Sequence, residues 1–202
     1  MAGSRSLSFI SRSDVGRAMC IAAGAAPALV ALAGEGVVKG SASAAEQVTR
    51  AMANLSYNSA DGQARLLACG AAPALVALVG EGVVKGSAGA AQQVARAMAN
   101  LGFSADGKAK LLACGAAPAL VALAGEGAVK GSAGAAQQVA RAIHNLSALP
   151  EAKTAIVAYG AAPALAALAA EPAVIASPAA AEWVGKARAR LHSAKHFKFT
   201  NL

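Results

Sequence analysis

The sequence predicts an all-α chain of stacked helical repeats. Three observations carry that prediction: a composition rich in Ala, Val and Leu, a tetrad that recurs at a near-constant interval, and helix start and stop signals that divide each interval in the same way. The chain has 202 residues and is 56% hydrophobic, yet aromatics make up only 3% of it and charged residues 14%. That is a helix former's composition. A β-sandwich needs β-branched and aromatic residues at period two, and a disordered chain needs high charge with low hydrophobicity, so the composition argues against both.

The tetrad Gly-Ala-Ala-Pro begins at Gly24, Gly70, Gly115 and Gly160, at intervals of 46, 45 and 45 residues. The stretch from Gly70 to Leu101 is nearly identical to that from Gly115 to Leu146. A period of this length marks units that bury their apolar faces only against their neighbours. In the second unit a first helix is expected from about Asp61 to Cys69, a second opens around Pro73 and stops by Gly80, and a third runs from about Ser87 to Leu101. Gly suits a helix C-cap, Pro suits a first turn, and a Ser side chain can accept from the orphan amides that open a helix. The Gly-rich run Gly-Glu-Gly-Val-Val-Lys-Gly before Ser87 reads as a loop.

The mean hydropathy of +0.50 raises the question of a membrane span. The longest uncharged runs, Ala18 to Gly34 and Thr154 to Ala170, have 17 residues each, against about 20 for a span. Both contain the tetrad near their middles and read as two helices and a corner, so no integral membrane segment is expected. Cys20, Cys69 and Cys114 form no C-x-x-C pair and are expected to be small buried thiols in a reducing compartment.

The same register reaches both ends. Arg5 to Ser11 aligns with Arg50 to Ser56, so residues 1–12 read as the remnant of a preceding unit's third helix. Units follow at 13–58, 59–103, 104–147 and 148–192, with a basic tail at 193–202. Ser177 to Leu191 aligns without gaps on Ser87 to Leu101, but Arg188 stands for Met98 and Arg190 for Asn100, as a solvent-facing C-terminal cap requires. The Arg- and Ser-rich start resembles an organellar transit peptide in composition, but the repeat alignment accounts for it more simply. Ala2 follows the initiator Met, which disfavours myristoylation. A cytoplasmic, or nuclear, location is expected.

These residues resemble armadillo repeats, whose second helix typically opens Gly-Ala-Ile-Pro and whose third ends Ala-Leu-x-Asn-Leu. Here the counterparts are the four Gly-Ala-Ala-Pro tetrads, with Ala-Met-Ala-Asn-Leu at Ala51 and Ala97 and Ala-Ile-His-Asn-Leu at Ala142. The resemblance covers nearly the whole chain and implies a right-handed superhelical solenoid of about four three-helix units. The loop between second and third helices is about four residues longer than the usual repeat.

No catalytic constellation is found. His144, His192 and His196 lie in no H-E-x-x-H or Ser/His/Asp arrangement, and Glu35, Glu81 and Glu126 recur as equivalents, whereas active sites are usually singular. The Gly-Glu-Gly run lacks phosphate-loop spacing. No enzyme activity, metal, cofactor or small-molecule substrate is expected.

The third helices carry the sharper signal. Gln93, Arg96, Asn100 and Phe103 are spaced to fall on one helical face, while Val94, Met98 and Leu101 fall on another. The first unit repeats the polar face as Gln47, Arg50, Asn54 and Tyr57, and the third as Gln138, Arg141 and Asn145. In armadillo proteins this helix lines the concave groove, and the resemblance implies that Asn54, Asn100 and Asn145 match asparagines that bind an extended peptide's backbone. The same side chains can instead bond neighbouring repeats. One turn earlier, where importin-α-like members often carry Trp, stand Arg50, Arg96, Arg141 and Lys186, which disfavour a basic peptide. Arginines on helices 8–10 Å apart repel by only about 0.4 kcal/mol in water, so the ladder is tolerable when empty.

The expected function is therefore a non-catalytic interaction scaffold that holds an extended acidic or phosphorylated partner segment. A nuclear transport adaptor is one alternative. The other is nucleic-acid or acidic-membrane binding through the basic C-terminus, where Lys186, Arg188, Arg190, Lys195 and Lys198 lie near Trp183 and Phe197. No nucleic-acid-binding motif accompanies that charge, so a solvated cap is the plainer account.

Overall fold

The computed structural model describes residues 13–193, which form helices and contain no strand. The expected remnant at 1–12, and Lys195, His196, Phe197 and Lys198 of the tail, lie outside the described residues. The first unit comprises α1 (Asp14–Ala22), α2 (Ala25–Gly34), α3 (Gly36–Lys39) and α4 (Ala42–Ser56). The second comprises α5 (Ala60–Ala68), α6 (Ala71–Gly80), α7 (Gly82–Lys85) and α8 (Ala88–Leu101). The third is built from α9 (Ala105–Ala113), α10 (Ala116–Gly125), α11 (Gly127–Lys130) and α12 (Ala133–Leu146). The last is built from α13 (Pro150–Ala158), α14 (Ala161–Ala170), α15 (Pro172–Ile175) and α16 (Pro178–His192).

The caps explain the boundaries. Ser41, Ser87, Ser132 and Ser177 each accept from the backbone N–H three residues on, opening the long helices α4, α8, α12 and α16. Ser13, Ser59 and Ser104 do the same for α1, α5 and α9. At each tetrad the glycine adopts a left-handed conformation, with φ of 74° at Gly24, 88° at Gly70, 84° at Gly115 and 86° at Gly160. Only glycine takes that conformation without steric cost. The resulting corners bend successive helices by 77°, 74°, 79° and 72°. No single helix among the described residues is long and apolar enough to cross a membrane.

The Gly-Glu-Gly-Val-Val-Lys-Gly run is not the loop its glycines suggest. In the first two units it contains the one-turn helices α3 and α7, and Gly-Ala-Val-Lys in the third and Pro-Ala-Val-Ile in the fourth form α11 and α15; each is anchored by one buried valine: Val38, Val84, Val129 and Val174. Burying that side chain against the stack outweighs the poor helix propensity of the flanking glycines.

The long helices α4, α8, α12 and α16 stack side by side and make the most extensive contacts in the molecule. Their inner faces supply Val48, Met52, Val94, Met98, Val139 and Ile143 to one continuous core. Ile143 is fully buried on α12, while Arg188, its counterpart on α16, is exposed. Cys20 is buried, Cys69 and Cys114 are partly buried, and all three are free thiols. Burial pushes the Cys20 thiol above its ordinary range.

Candidate functional site

The polar faces of α4, α8 and α12 bring the predicted residues together. Arg50, Asn54, Gln93 and Arg96 line a cavity of about 490 Å³ between α4 and α8. Asn100 and Arg141 line a second, of about 220 Å³, with Ser56, Asn58, Gln63 and Phe103. Phe103 lies beyond the end of α8, so it does not extend the helical face as its spacing suggests; it stands 75% exposed at the rim. Tyr57 takes the equivalent place after α4 and is also exposed.

The glutamines aim the arginines. Arg96 Nη1 donates to Gln93 Oε1 at 3.5 Å, and Arg141 Nη1 donates to Gln138 Oε1 at 3.4 Å. Arg141 also donates from Nη2 to Asn100 Oδ1 at 3.1 Å. Burial draws the Arg141 pKa down from its ordinary value, with Tyr57 acting the other way. Gln47 is half-buried on α4, where Arg50 is instead paired with Glu46.

The asparagines have work inside the stack. Asn100 Nδ2 donates to the Ala53 carbonyl at 2.8 Å, and Asn145 Nδ2 donates to the Ala99 carbonyl at 2.9 Å. Each amide staples its own long helix to the one before it, so one N–H of each is committed before any partner arrives. Asn54 holds the same position on α4 and is 5% exposed. Arg190, which replaces the asparagine on α16, makes the same staple: its Nη1 donates to the His144 carbonyl at 3.2 Å.

Two features escaped the sequence reading although alignment places both. Trp183 occupies the Gln138 position on α16. It packs edge-on against His144, with ring centroids 5.6 Å apart at 74°. Lys186 Nζ lies 4.7 Å from the centre of its ring and Arg141 Cζ 5.9 Å, so this indole already interacts with the protein's own cations. The second feature is Glu46, at the position of Gln92 and Gln137. Its carboxylate packs against Gly89 of the next unit, where a Cβ would sit 2.3 Å from Oε2. Among the described residues no three His, Cys, Asp or Glu side chains lie close enough to hold a metal ion.

The chain has an armadillo-like repeat fold. A designed armadillo repeat protein in complex with the peptide (KR)4 superposes with a TM-score of 0.76 at 23% identity, covering 94% of this chain and 74% of that one. A β-catenin structure described in terms of a phosphorylation switch in its interaction with cadherin gives 0.77 at 22% identity, covering 96% of this chain and 34% of that one. An engineered protein gives 0.76 at 20% identity, covering 94% of this chain and 43% of its own length. No family model and no curated protein sequence matches the chain.

Proposed function

We propose that this protein is a non-catalytic scaffold whose groove, formed by α4, α8 and α12, holds an extended acidic or phosphorylated segment of a partner protein. The observation that carries this reading is the alignment of Arg50, Arg96 and Arg141 along one surface, the first two in a single polar cavity with Asn54 and Gln93. Guanidinium groups recognise carboxylate and phosphate by paired hydrogen bonds, and a row of them steers anionic segments. Gln93 and Gln138 orient Arg96 and Arg141, Asn100 and Asn145 tie α8 and α12 to the preceding long helices, and the half-buried Asn145 offers its remaining amide groups to a partner backbone. The similar folds bind a peptide and a cadherin respectively, which supports a protein partner.

Two features disfavour the alternatives. A basic signal peptide would meet the arginine row, and Trp183 already has Lys186 and Arg141 near its ring. Within the basic C-terminal patch, Arg190 is engaged inside the stack, with Nη1 donating to the His144 carbonyl.

The test is affinity capture from cell lysate at low and high salt, comparing wild type with Arg50, Arg96 and Arg141 all changed to Glu. The reading expects a salt-sensitive set of partners with acidic segments that the variant loses. Identical partner sets would remove function from the groove.

A further inference from the structure

The groove is not uniformly charged along its length. On α4, Arg50 is paired with Glu46, and the side chains remain 30% and 24% exposed. On α8 and α12 the residues four positions before Arg96 and Arg141 are Gln92 and Gln137, which carry no charge. The glutamate cannot easily leave its arginine. Its other side rests against Gly89 of α8, and Gln92 rests in the same way against Gly134 of α12, where a Cβ would lie 2.9 Å from Oε1. The position is thus a fixed inter-unit contact, charged in the first unit and neutral in the next.

We infer that Glu46 closes the α4 end of the groove to acidic residues: a bound segment lies with its acidic residues over α8 and α12 and with neutral residues over α4. This inference rests on the groove reading above. Arg50 without Glu46 would present the same cation as Arg96 and Arg141, and the groove would accept acidic residues one unit further. With Glu46 in place, a carboxylate arriving over α4 meets a like charge on the same helical face, which costs affinity there and leaves the other units unaffected. At the opposite end the equivalent position is again acidic, and Glu182 pairs with Lys186 at 2.5 Å, so the units whose cation has a neutral residue four positions before it are the two inner ones.

The experiment is fluorescence anisotropy with a labelled alternating Gly-Glu peptide, long enough to cross all four units, titrated with wild type, Glu46→Gln, Gln92→Glu, and an Arg96→Glu, Arg141→Glu double variant. Circular dichroism checks that each variant is folded. Glu46→Gln is expected to tighten binding about threefold and steepen its salt dependence, and Gln92→Glu to weaken it by a similar factor. Unchanged affinity in both single variants, with loss in the double variant, would overturn the role of Glu46 while leaving the groove in place. Equal binding by wild type and the double variant would overturn the groove reading itself.

Discussion

Between α8 and α12 the inter-unit staple is an amide, Asn145 donating to the Ala99 carbonyl; between α12 and α16 it is a guanidinium, Arg190 donating to the His144 carbonyl. The two junctions differ at other positions too. Ser104 caps α9 with its hydroxyl, whereas α13 begins after Leu149, which supplies no side-chain cap, with Pro150 in its first turn. Gly107 lets α9 press against the end of α8, whereas Ala152 holds the same place in α13. At the last junction a cavity of about 760 Å³ opens, lined by Ser147, Ala148, Pro150, Lys153, Thr154, Val157, Arg190 and Ser193. The comparison separates what the stack needs from what one surface uses. A donor reaching back to the preceding long helix is present at both junctions, while a neutral amide, a glycine and a hydroxyl cap are found only at the inner one.

The largest expected effect lies in the close approach. A Cβ on Gly107 would sit 1.9 Å from the Leu101 carbonyl oxygen, so Gly107→Ala should destabilise by about 3 kcal/mol in urea unfolding. Ala152→Gly at the outer junction should cost about 1 kcal/mol or less, the ordinary helix penalty. Equal costs would mean that the two junctions pack alike.

Next in size is the staple. Asn100→Ala removes a bond to the Ala53 carbonyl and the acceptor of Arg141 Nη2, and should cost about 1–2 kcal/mol; Asn145→Ala should cost about 1 kcal/mol. If reach and donation are what matter, Asn145→Arg should recover most of that loss. A variant as unstable as Asn145→Ala would show that the amide itself is needed at the inner junction.

A pH effect, the smallest of the three, separates the outer junction from the rest. Burial, then the charge of Arg190, and less strongly that of Lys186, hold the His144 imidazole below its ordinary value of 6.5, with the Lys186 backbone acting the other way. Its Nδ1 is buried with no hydrogen-bond partner among the described residues. Because the unfolded chain takes up the proton first, the contribution of neutral His144 is fully present above about pH 6.5 and falls as the pH drops towards the folded value. Thermal unfolding followed through Trp183, the single tryptophan, should show a lower midpoint in mild acid, and His144→Ala should flatten that slope.

Much of the fold was legible because its punctuation is chemical. Each tetrad glycine marks a left-handed corner, and in the second unit Ser59 and Ser87 open helices, so the expected helices there fall within about two residues of α5, α6 and α8. The one-turn helices were not legible. Four residues between glycines show no period, and α7 is held by burial of Val84, a tertiary effect. In the groove, periodicity placed Gln93, Arg96 and Asn100 on one face. It could not say that Asn100 would reach the Ala53 carbonyl, because that depends on how closely α4 and α8 pack. Arg190 reads from sequence as the end of the asparagine pattern, since the side chains differ in charge, yet both donate from nitrogen to the same kind of carbonyl. The pairing of Arg50 with Glu46 follows helical spacing and could have been read directly; the packing of Glu46 against Gly89 could not.

The central claim is that the acidic segment lies on the polar faces of α8 and α12. The most direct measurement is a titration of ¹⁵N-labelled protein with the alternating Gly-Glu peptide, following the side-chain resonances of Arg96, Arg141, Asn100 and Asn145. Shifts concentrated on these groups, with Arg50 less perturbed than Arg96, are the predicted result. Shifts confined to Arg188, Lys153 and the outer surface of α16 would contradict it and move binding to the basic end of the stack.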